Sequence, residues 1–335
     1  MVLQDLGKEY KFLKEMQGLT LVGLGGSHAY GTNIENSDLD LRGIALNSKE
    51  EILLGNDFSQ IVDTKTDTTI YSFRRMIELL SNCNPNTIEI LGLKKEHYLV
   101  CSSIGEELLA MKEAFLSKKA AVTFGGYANA QLRRLDNKSA RDLGEEQREQ
   151  HVLNSIKNAS INFKKKYLQF EDDSFRLYVG DAVSLDREKE LLMDIHLTGY
   201  PLRDYSGMMG EIHSILRGYD KIGKRNRYAV VHDKISKHMM HLIRLYYMCF
   251  DILEKHEINT YREKEHDVLM CIRNGDFLNG RQPIPEFFEM VDELEKRLQY
   301  DAENTDLPEE PDSKRIREFV MSVNERIVKD DIFRN

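Results

Sequence analysis

Gly25-Gly26-Ser27-His28-Ala29-Tyr30-Gly31-Thr32-Asn33-Ile34-Glu35-Asn36-Ser37-Asp38-Leu39-Asp40-Leu41-Arg42-Gly43-Ile44 is the stretch from which the rest of the chain is read. It follows a short apolar run, Leu19 to Leu24, with the length and composition of a buried strand. The glycines break that strand. Ser27 is placed to cap a short helix through Tyr30, with its side chain or backbone N–H turned to an anion. A second strand is expected to start near Asp38. Side chains alternate along a strand, so Asp38, Asp40 and Arg42 share one face while Leu39 and Leu41 take the other. The pattern describes a phosphate cradle facing two carboxylates.

Two neighbouring aspartates resist joint ionisation unless cations sit between them. Magnesium suits such a pair, because it prefers oxygen ligands and keeps positions open for substrate phosphates. Two ions about 3.5–4 Å apart stabilise both the attacking and the leaving oxygen of an in-line phosphoryl transfer. The chemistry that follows is nucleotidyl transfer, with two magnesium ions as cofactors and manganese as a substitute.

Other glycine loops fail on particular residues. A dinucleotide fingerprint needs G-x-G-x-x-G; Gly23 and Gly25 fit, but the third position falls on His28. A P-loop needs a Lys where Thr32 stands after Gly26 and Gly31. The kinase signatures H-R-D-L-x-x-x-N and D-F-G do not occur.

The run Gly26-Ser27, a spacer, then Asp38-x-Asp40 resembles the signature of the DNA polymerase β-type nucleotidyltransferase superfamily. In the fuller form, G-S-x-A-x-G followed by S-D-x-D-x-x-G-I, it resembles the nucleotidyltransferases found near RNA-repair genes. Tyr71-Ser72, Asn84-Pro85-Asn86 followed by Glu89, Gly126-Tyr127-Ala128, and Lys237 to Leu245 are similar to further parts of that group. The resemblance runs through most of residues 19–300. It implies a third carboxylate on the next strand. Asp67 is the first choice, because Asp67-Thr68-Thr69-Ile70-Tyr71 enters the following helix directly, and Asp63 is its rival. Glu89 is either a support for the metal site or a helix-surface acid.

Composition sets the frame. The chain has 335 residues, 41% apolar and 31% charged, enough for real cores in a soluble protein of about two domains. A net charge of −9 argues against a general nucleic-acid coat, though not against a local basic groove. No apolar run approaches the roughly 18 residues of a membrane helix, and the N-terminus carries no signal-peptide core. Cys83, Cys101, Cys249 and Cys271 form no CxxC pair, which fits reduced thiols in a cytoplasmic protein.

Along the chain, residues 4–17 read as an amphipathic helix with Leu6, Tyr10 and Leu13 on one stripe. Residues 61–71 alternate as a strand expected to pair with the one bearing Asp38 and Asp40. Ser72 is expected to cap a helix through Leu80, with Arg74 and Arg75 in its first turn facing either a triphosphate or solvent. Beyond about residue 100, apolar residues recur at helical spacing over 103–116, 119–136, 147–170, 186–197, 204–218, 229–255, 264–273, 284–299 and 312–328. Residues 173–183 suggest a small hairpin or strand pair. Tyr127, Gln131 and Arg134 fall on one helix face, suited to a base and a phosphate or to a partly buried polar contact. The 229–255 helix is apolar almost all round, so its cations Lys237, His241 and Arg244 need an anionic partner. A triphosphate would serve, as would a carboxylate from a neighbouring helix. Lys221 to Arg227 and Lys164-Lys165-Lys166 are basic runs that meet either RNA phosphates or water.

The expected fold is α+β: a small mixed β-sheet nucleotidyltransferase core with flanking helices over residues 1–100, and a larger, mainly helical C-terminal domain over 101–335 that closes the active-site cleft. The expected reaction moves a nucleoside monophosphate from a nucleoside triphosphate to a hydroxyl and releases pyrophosphate. Asp38, Asp40 and Asp67 hold the metals, with Asp67 nearer the acceptor. Gly26 and Ser27 hold the β and γ phosphates, and Lys237, His241 and Arg244 answer phosphate charge. The acceptor is an RNA or tRNA end, a protein side chain or a small molecule. The competing class is a nucleotide- or RNA-binding protein that keeps the fold without catalysis.

Overall fold

The computed structural model describes residues 3–35, 37–139, 150, 152–157, 167, 175–181, 189–224, 235–279 and 282–329. The fold is α+β, with a five-stranded mixed sheet in the N-terminal region and a helical C-terminal part. The sheet comprises β1 (Leu19–Leu24), β2 (Leu41–Ala45), β3 (Gln60–Asp63), β4 (Thr68–Ser72) and β5 (Tyr98–Cys101). Their spatial order is β3-β4-β2-β1-β5. β2 runs antiparallel to β1 and parallel to β4, while β3 and β4 form a hairpin.

The N-terminal stripe packs as its pattern demands. Leu6, Tyr10 and Leu13 are buried in one cluster with Val22, Leu41, Ile70 and Leu99 from four strands of the sheet. The segment is not one helix, however: two 3-10 turns precede a short helix, α1 (Lys11–Glu15). Residues 61–71 likewise make two strands rather than one. Asp63 accepts from Lys65 N at 2.9 Å and from the Thr66 hydroxyl at 3.1 Å, which folds the run back on itself. The second half, β4, does pair with β2, with Leu41 opposite Thr68 and Ala45 opposite Ser72.

β1 leads through Gly25 into α2 (Gly26–Tyr30), which Gly31 ends in the left-handed conformation at φ +73°. The Phe73–Ser81 helix starts as expected, with the Ser72 hydroxyl accepting from Arg75 N at 3.2 Å. Asn84 caps the next short helix in the same way, through Asn86 N. Arg74 pairs with Asp57 and Arg75 with Glu78, so surface carboxylates answer both first-turn cations.

Contacts divide the chain into two compact units. The first holds residues 1–131, 239–277 and 284–335, and the second holds 132–238 and 278–283. Residue 100 lies within β5 in the first unit, and the two units do not divide there. In the second unit, residues 186–197 contain a strand, Lys189–Ile195, and not the expected helix. It pairs antiparallel with Phe175–Asp181, setting Leu177 opposite Met193 and Val179 opposite Leu191. Cross-strand apolar pairs of this kind override a weak helical period. Among the described residues no helix is long and apolar enough to cross a membrane.

Candidate active site

The strand β2 starts at Leu41, three residues later than Asp38. Asp38 and Asp40 lie in the extended approach to it, not within it. Backbone bonds still fix Asp40: its carbonyl accepts from Gly25 N at 2.8 Å, and the next amide, Leu41 N, donates to Asp67 O at 3.3 Å. Asp38 is exposed and Asp40 half-buried.

The bend at Gly25-Gly26 presses directly on Asp40. Gly26 has φ +54°, and a Cβ built there would stand 1.8 Å from Asp40 Oδ2. No side chain fits that space, and the backbone conformation also disfavours any L-residue. Gly25 is less restricted; a Cβ there would meet Arg42 Cγ at 3.3 Å. Gly25, rather than Ser27, occupies the cap position of α2, and no side-chain cap bond forms. Ser27 sits in the first turn and is buried. The bend leaves room for cap-free backbone to approach Asp40, which a β-branched or capping residue would fill.

Arg42 engages Asp67 in a way the alternation pattern does not specify. Its Nη1 donates to the carbonyls of Leu41 at 2.9 Å and Asp67 at 2.6 Å, and its Nη2 lies 3.4 Å from Asp67 Oδ1. Asp67 itself stands in the turn before β4 at φ +42°, with its side chain largely exposed. In the parallel register Leu41 faces Thr68, so Asp40 and Asp67 stand side by side at the same end of adjacent strands. Asp63 pairs with Thr68 across the hairpin. Its carboxylate oxygens accept the two turn bonds described above.

A buried hydroxyl reports on the local charge. Tyr10 donates to Leu39 O at 3.3 Å. Burial first, then the carboxylates of Glu9, Asp40, Asp63 and Asp38, raise its pKa. Asp38, Asp40 and Asp63 thus all act on one hydroxyl at the edge of the core. Among the described residues no three His, Cys, Asp or Glu side chains are grouped to hold a metal. The pair Asp38 and Asp40 stands in the open approach to β2, and Asp67 is engaged by Arg42.

Behind α2 lies a second layer of polar groups. The Tyr30 hydroxyl donates to Glu89 Oε2 at 2.6 Å, and both residues are buried. The Arg244 guanidinium lies 3.4 Å over the Tyr30 ring, and its Nη2 meets His241 Nδ1 at 2.8 Å. The Thr260 hydroxyl donates to the Glu89 carbonyl at 2.6 Å. Burial raises the pKa of Glu89, with Arg244, the Tyr30 hydroxyl and Arg42 pulling it back down. Burial likewise raises the Tyr30 phenol. Both a triphosphate and a carboxylate are anticipated for the cations of the Ile235–Lys255 helix; Glu89 is a buried carboxylate whose pKa the Arg244 charge lowers. Arg244 and His241 therefore stand behind the helix that carries Gly26, stacked on its last residue. Lys237 is exposed and falls in the second unit.

Tyr127 accepts from Asn84 Nδ2 at 3.2 Å and Asn86 Nδ2 at 3.4 Å, which joins two of the sequence motifs. Gln131 is buried on the same helix. The Arg134 side chain, Arg225 to Arg227 and Lys164 to Lys166 lie outside the described residues, as do the side chains of Lys221 to Lys224.

Residues 12–168 match the model of the RlaP family, the RNA repair pathway DNA polymerase beta family. This is the group that the Gly-Ser and Asp-x-Asp spacing resembles, and the match supports a general nucleotidyltransferase role. No curated protein and no solved structure matches the chain. The RlaP match contains Gly26, Ser27, Asp38, Asp40, Asp63, Asp67 and Glu89, and it ends before Lys237, His241 and Arg244. Arg42 and Tyr30, also inside the match, are the residues whose parts in the site the sequence alone left unassigned. One signal for Arg42 was present: it shares the Asp38-x-Asp40 alternation.

Proposed function

We propose that the chain transfers a nucleoside monophosphate from a nucleoside triphosphate to a hydroxyl acceptor and releases pyrophosphate. The observation that carries this is the contact between Gly26 and Asp40: a backbone bend with no side chain set directly against a carboxylate. Such a bend lets a phosphate chain approach main-chain N–H groups beside the acidic pair. The RlaP match over the same residues supports the same reaction class.

A divalent cation fits the donor set. Asp38 and Asp40 offer oxygen ligands alone, which suits magnesium or manganese and excludes a zinc-type site of His and Cys. When bound, the cation supplies neutralisation of the triphosphate and polarisation of the reacting phosphorus. The remaining work falls to the chain. Gly25 holds the approach to β2 through the Asp40 carbonyl, and Gly26 leaves room for the Asp40 side chain. Ser27 and the Gly26 backbone receive the β and γ phosphates. Asp67, once released by Arg42, orients the acceptor hydroxyl as the third carboxylate. Arg42, freed from Asp67, is then available to the triphosphate. An RNA or tRNA end is the acceptor favoured by the family description.

One observation favours the alternative, nucleotide or RNA binding without transfer: Arg42 holds the Asp67 carboxylate, and among the described residues three acidic groups are not gathered. Both readings are tested by incubating the chain with each labelled triphosphate, magnesium or manganese, and total tRNA or lysate. Label transfer that disappears in Asp38→Ala/Asp40→Ala supports the enzyme. Triphosphate binding with no transfer to any acceptor supports the alternative, and label transfer retained in the double variant rules out this site.

A further inference from the structure

Outside the acidic pair, the first unit carries a cavity of about 270 Å³ where two chain segments meet. Leu91 to Lys94 forms one wall and Ile258 to Glu263 the other. Thr260 N donates to Gly92 O at 3.1 Å, and a Cβ on Gly92 would stand 2.2 Å from Ile258 O. The two backbones are therefore locked together at their closest point, and the cavity beside them is built rather than incidental.

Its lining carries more lysines than carboxylates. Lys94 and Lys112 both line the cavity, and among the described residues neither has a carboxylate within 4.0 Å. Lys118, Lys119 and Lys255 of the same unit are instead paired, with Glu309, Glu310 and Asp251. In a protein of net charge −9, two unpaired ammonium groups around one cavity mark a local excess of positive charge. Glu263 is the single carboxylate on the lining. The Lys94 ammonium is also held in place, 3.5 Å over the ring of Tyr261. That ring packs on Gly31, where a Cβ would come within 2.4 Å of it, and it lies 5.8 Å from the His97 ring. With Lys94 and Gly31 both against it, Tyr261 serves as a mount for the cation and not as a platform for a base.

We propose that this cavity is a second, phosphate-binding site, in which Lys94 and Lys112 take a phosphate dianion or the terminal phosphate of a larger molecule. Two ammonium groups against one carboxylate leave a net positive lining that favours an anion, and the volume admits a phosphate with a small substituent. The site shares no residue with the acidic pair and does not depend on the transfer reaction. It is nonetheless connected to the bend. Arg262 N donates to Tyr30 O at 3.2 Å, and Tyr261 covers Gly31, so an occupied cavity stiffens the far end of the five-residue helix that begins at Gly26.

Calorimetric titration of the full chain in magnesium-free buffer with EDTA tests the site. The ligands are inorganic phosphate, pyrophosphate, and a short oligoribonucleotide ending in either a phosphate or a hydroxyl. Saturable binding of at least one phosphate source is expected, weakened tenfold or more in Lys94→Gln/Lys112→Gln and unchanged in Asp38→Ala/Asp40→Ala. A preference for the phosphate-ended RNA over its hydroxyl-ended twin identifies an RNA end as the source. Equal or better binding of inorganic phosphate identifies the free ion. Acetylation footprinting of the unaltered chain gives a second readout, independent of whether the variant folds: the ligand should protect Lys94 and Lys112 but not the exposed Lys95. No binding by any source, binding that survives the lysine substitutions, or lysines that stay reactive would overturn the proposal. Phosphate binding without any nucleotidyl transfer would remove the reading above and leave this one standing.

Discussion

The guanidinium of Arg244 lies over the ring of Tyr30 at 3.4 Å, while the hydroxyl of the same ring donates to Glu89. One aromatic residue at the end of the Gly26–Tyr30 helix thus mediates between a buried cation and a buried carboxylate. Both charges are buried, so the ring's two contacts hold down a desolvation cost that neither partner meets alone. Tyr30→Phe keeps the ring under Arg244 and removes the bond to Glu89. A loss of about 1–3 kcal/mol is expected for the orphaned buried acceptor. Arg244→Met should cost more, because Glu89 then keeps a raised pKa with its nearest cation gone. Urea midpoints of the two variants check the order. A Tyr30→Phe variant as stable as the parent would show that the hydrogen bond contributes nothing net.

Gly26 and Gly25 should respond differently to the same substitution. Gly26→Ala meets a carboxylate oxygen at 1.8 Å and a left-handed backbone, where an L-residue costs roughly 1–2 kcal/mol before any clash. Asp40 must move. Gly25 is extended at φ −118°, and its new methyl would meet nothing closer than 3.3 Å. Label transfer should therefore collapse in Gly26→Ala, by a hundredfold or more if Asp40 shifts by about 1 Å. In Gly25→Ala it should fall less than tenfold. Equal losses in the two would show that the bend matters as a loop and not through Asp40.

Much of this arrangement was legible in the chain. The bend, the acidic pair, the Ser72 cap and the buried N-terminal stripe all follow from local rules: glycine at a positive φ, Asp-x-Asp beside it, a serine before an amphipathic run. What was not legible depended on partners far along the chain. Residues 189–195 carry enough apolar residues for a helix, and only the strand at 175–181 makes them a strand. The sequence leaves Arg244 open between a triphosphate and a carboxylate, because its charge has no visible counterpart nearby. Glu89 and Tyr30 lie more than a hundred residues away in sequence, and no periodicity announces them. The turn at Thr64 to Thr66 leaves no clear mark in the sequence, because alternating Thr and Asp residues suit a strand and a hairpin turn alike.

Asp301 gives the protein an acid-side response. Burial first, then its carboxyl neighbour Glu254, raise its pKa to about 6, with Arg297 opposing them. An unfolded chain holds the same group near its ordinary value of about 3.9. The folded state therefore binds the proton more tightly between pH 4 and pH 6. Stability contributed by this group is present at the acid end and is lost as pH rises through about 6. Asp301→Asn keeps the shape and removes the titration. It should exceed the parent in urea midpoint at pH 7.5, with the advantage shrinking toward pH 4.5. An unchanged difference between the two pH values would mean that Asp301 titrates normally.

The third carboxylate can be decided between Asp67 and Asp63 by what each loses. Asp63 spends its two oxygens on the hairpin turn, through Lys65 N and Thr66 Oγ1. Asp67 makes no such bond; its carboxylate faces Arg42, and its positive φ holds it in the turn at the end of the strand lead that carries Asp40. Asp63→Asn should therefore cost about 1 kcal/mol of stability from the weakened turn and leave manganese affinity within twofold. Asp67→Asn should leave the fold intact and weaken manganese binding, measured with nucleotide present, tenfold or more. Arg42→Gln separates the two further. It frees the Asp67 carboxylate, so manganese should bind more tightly in the absence of nucleotide, while transfer falls because the cation that would meet the triphosphate is gone. A gain in metal affinity that persists in Arg42→Gln/Asp67→Asn would show that Arg42 acts on Asp40 and Asp38 through charge alone, and would return Asp63 to the role.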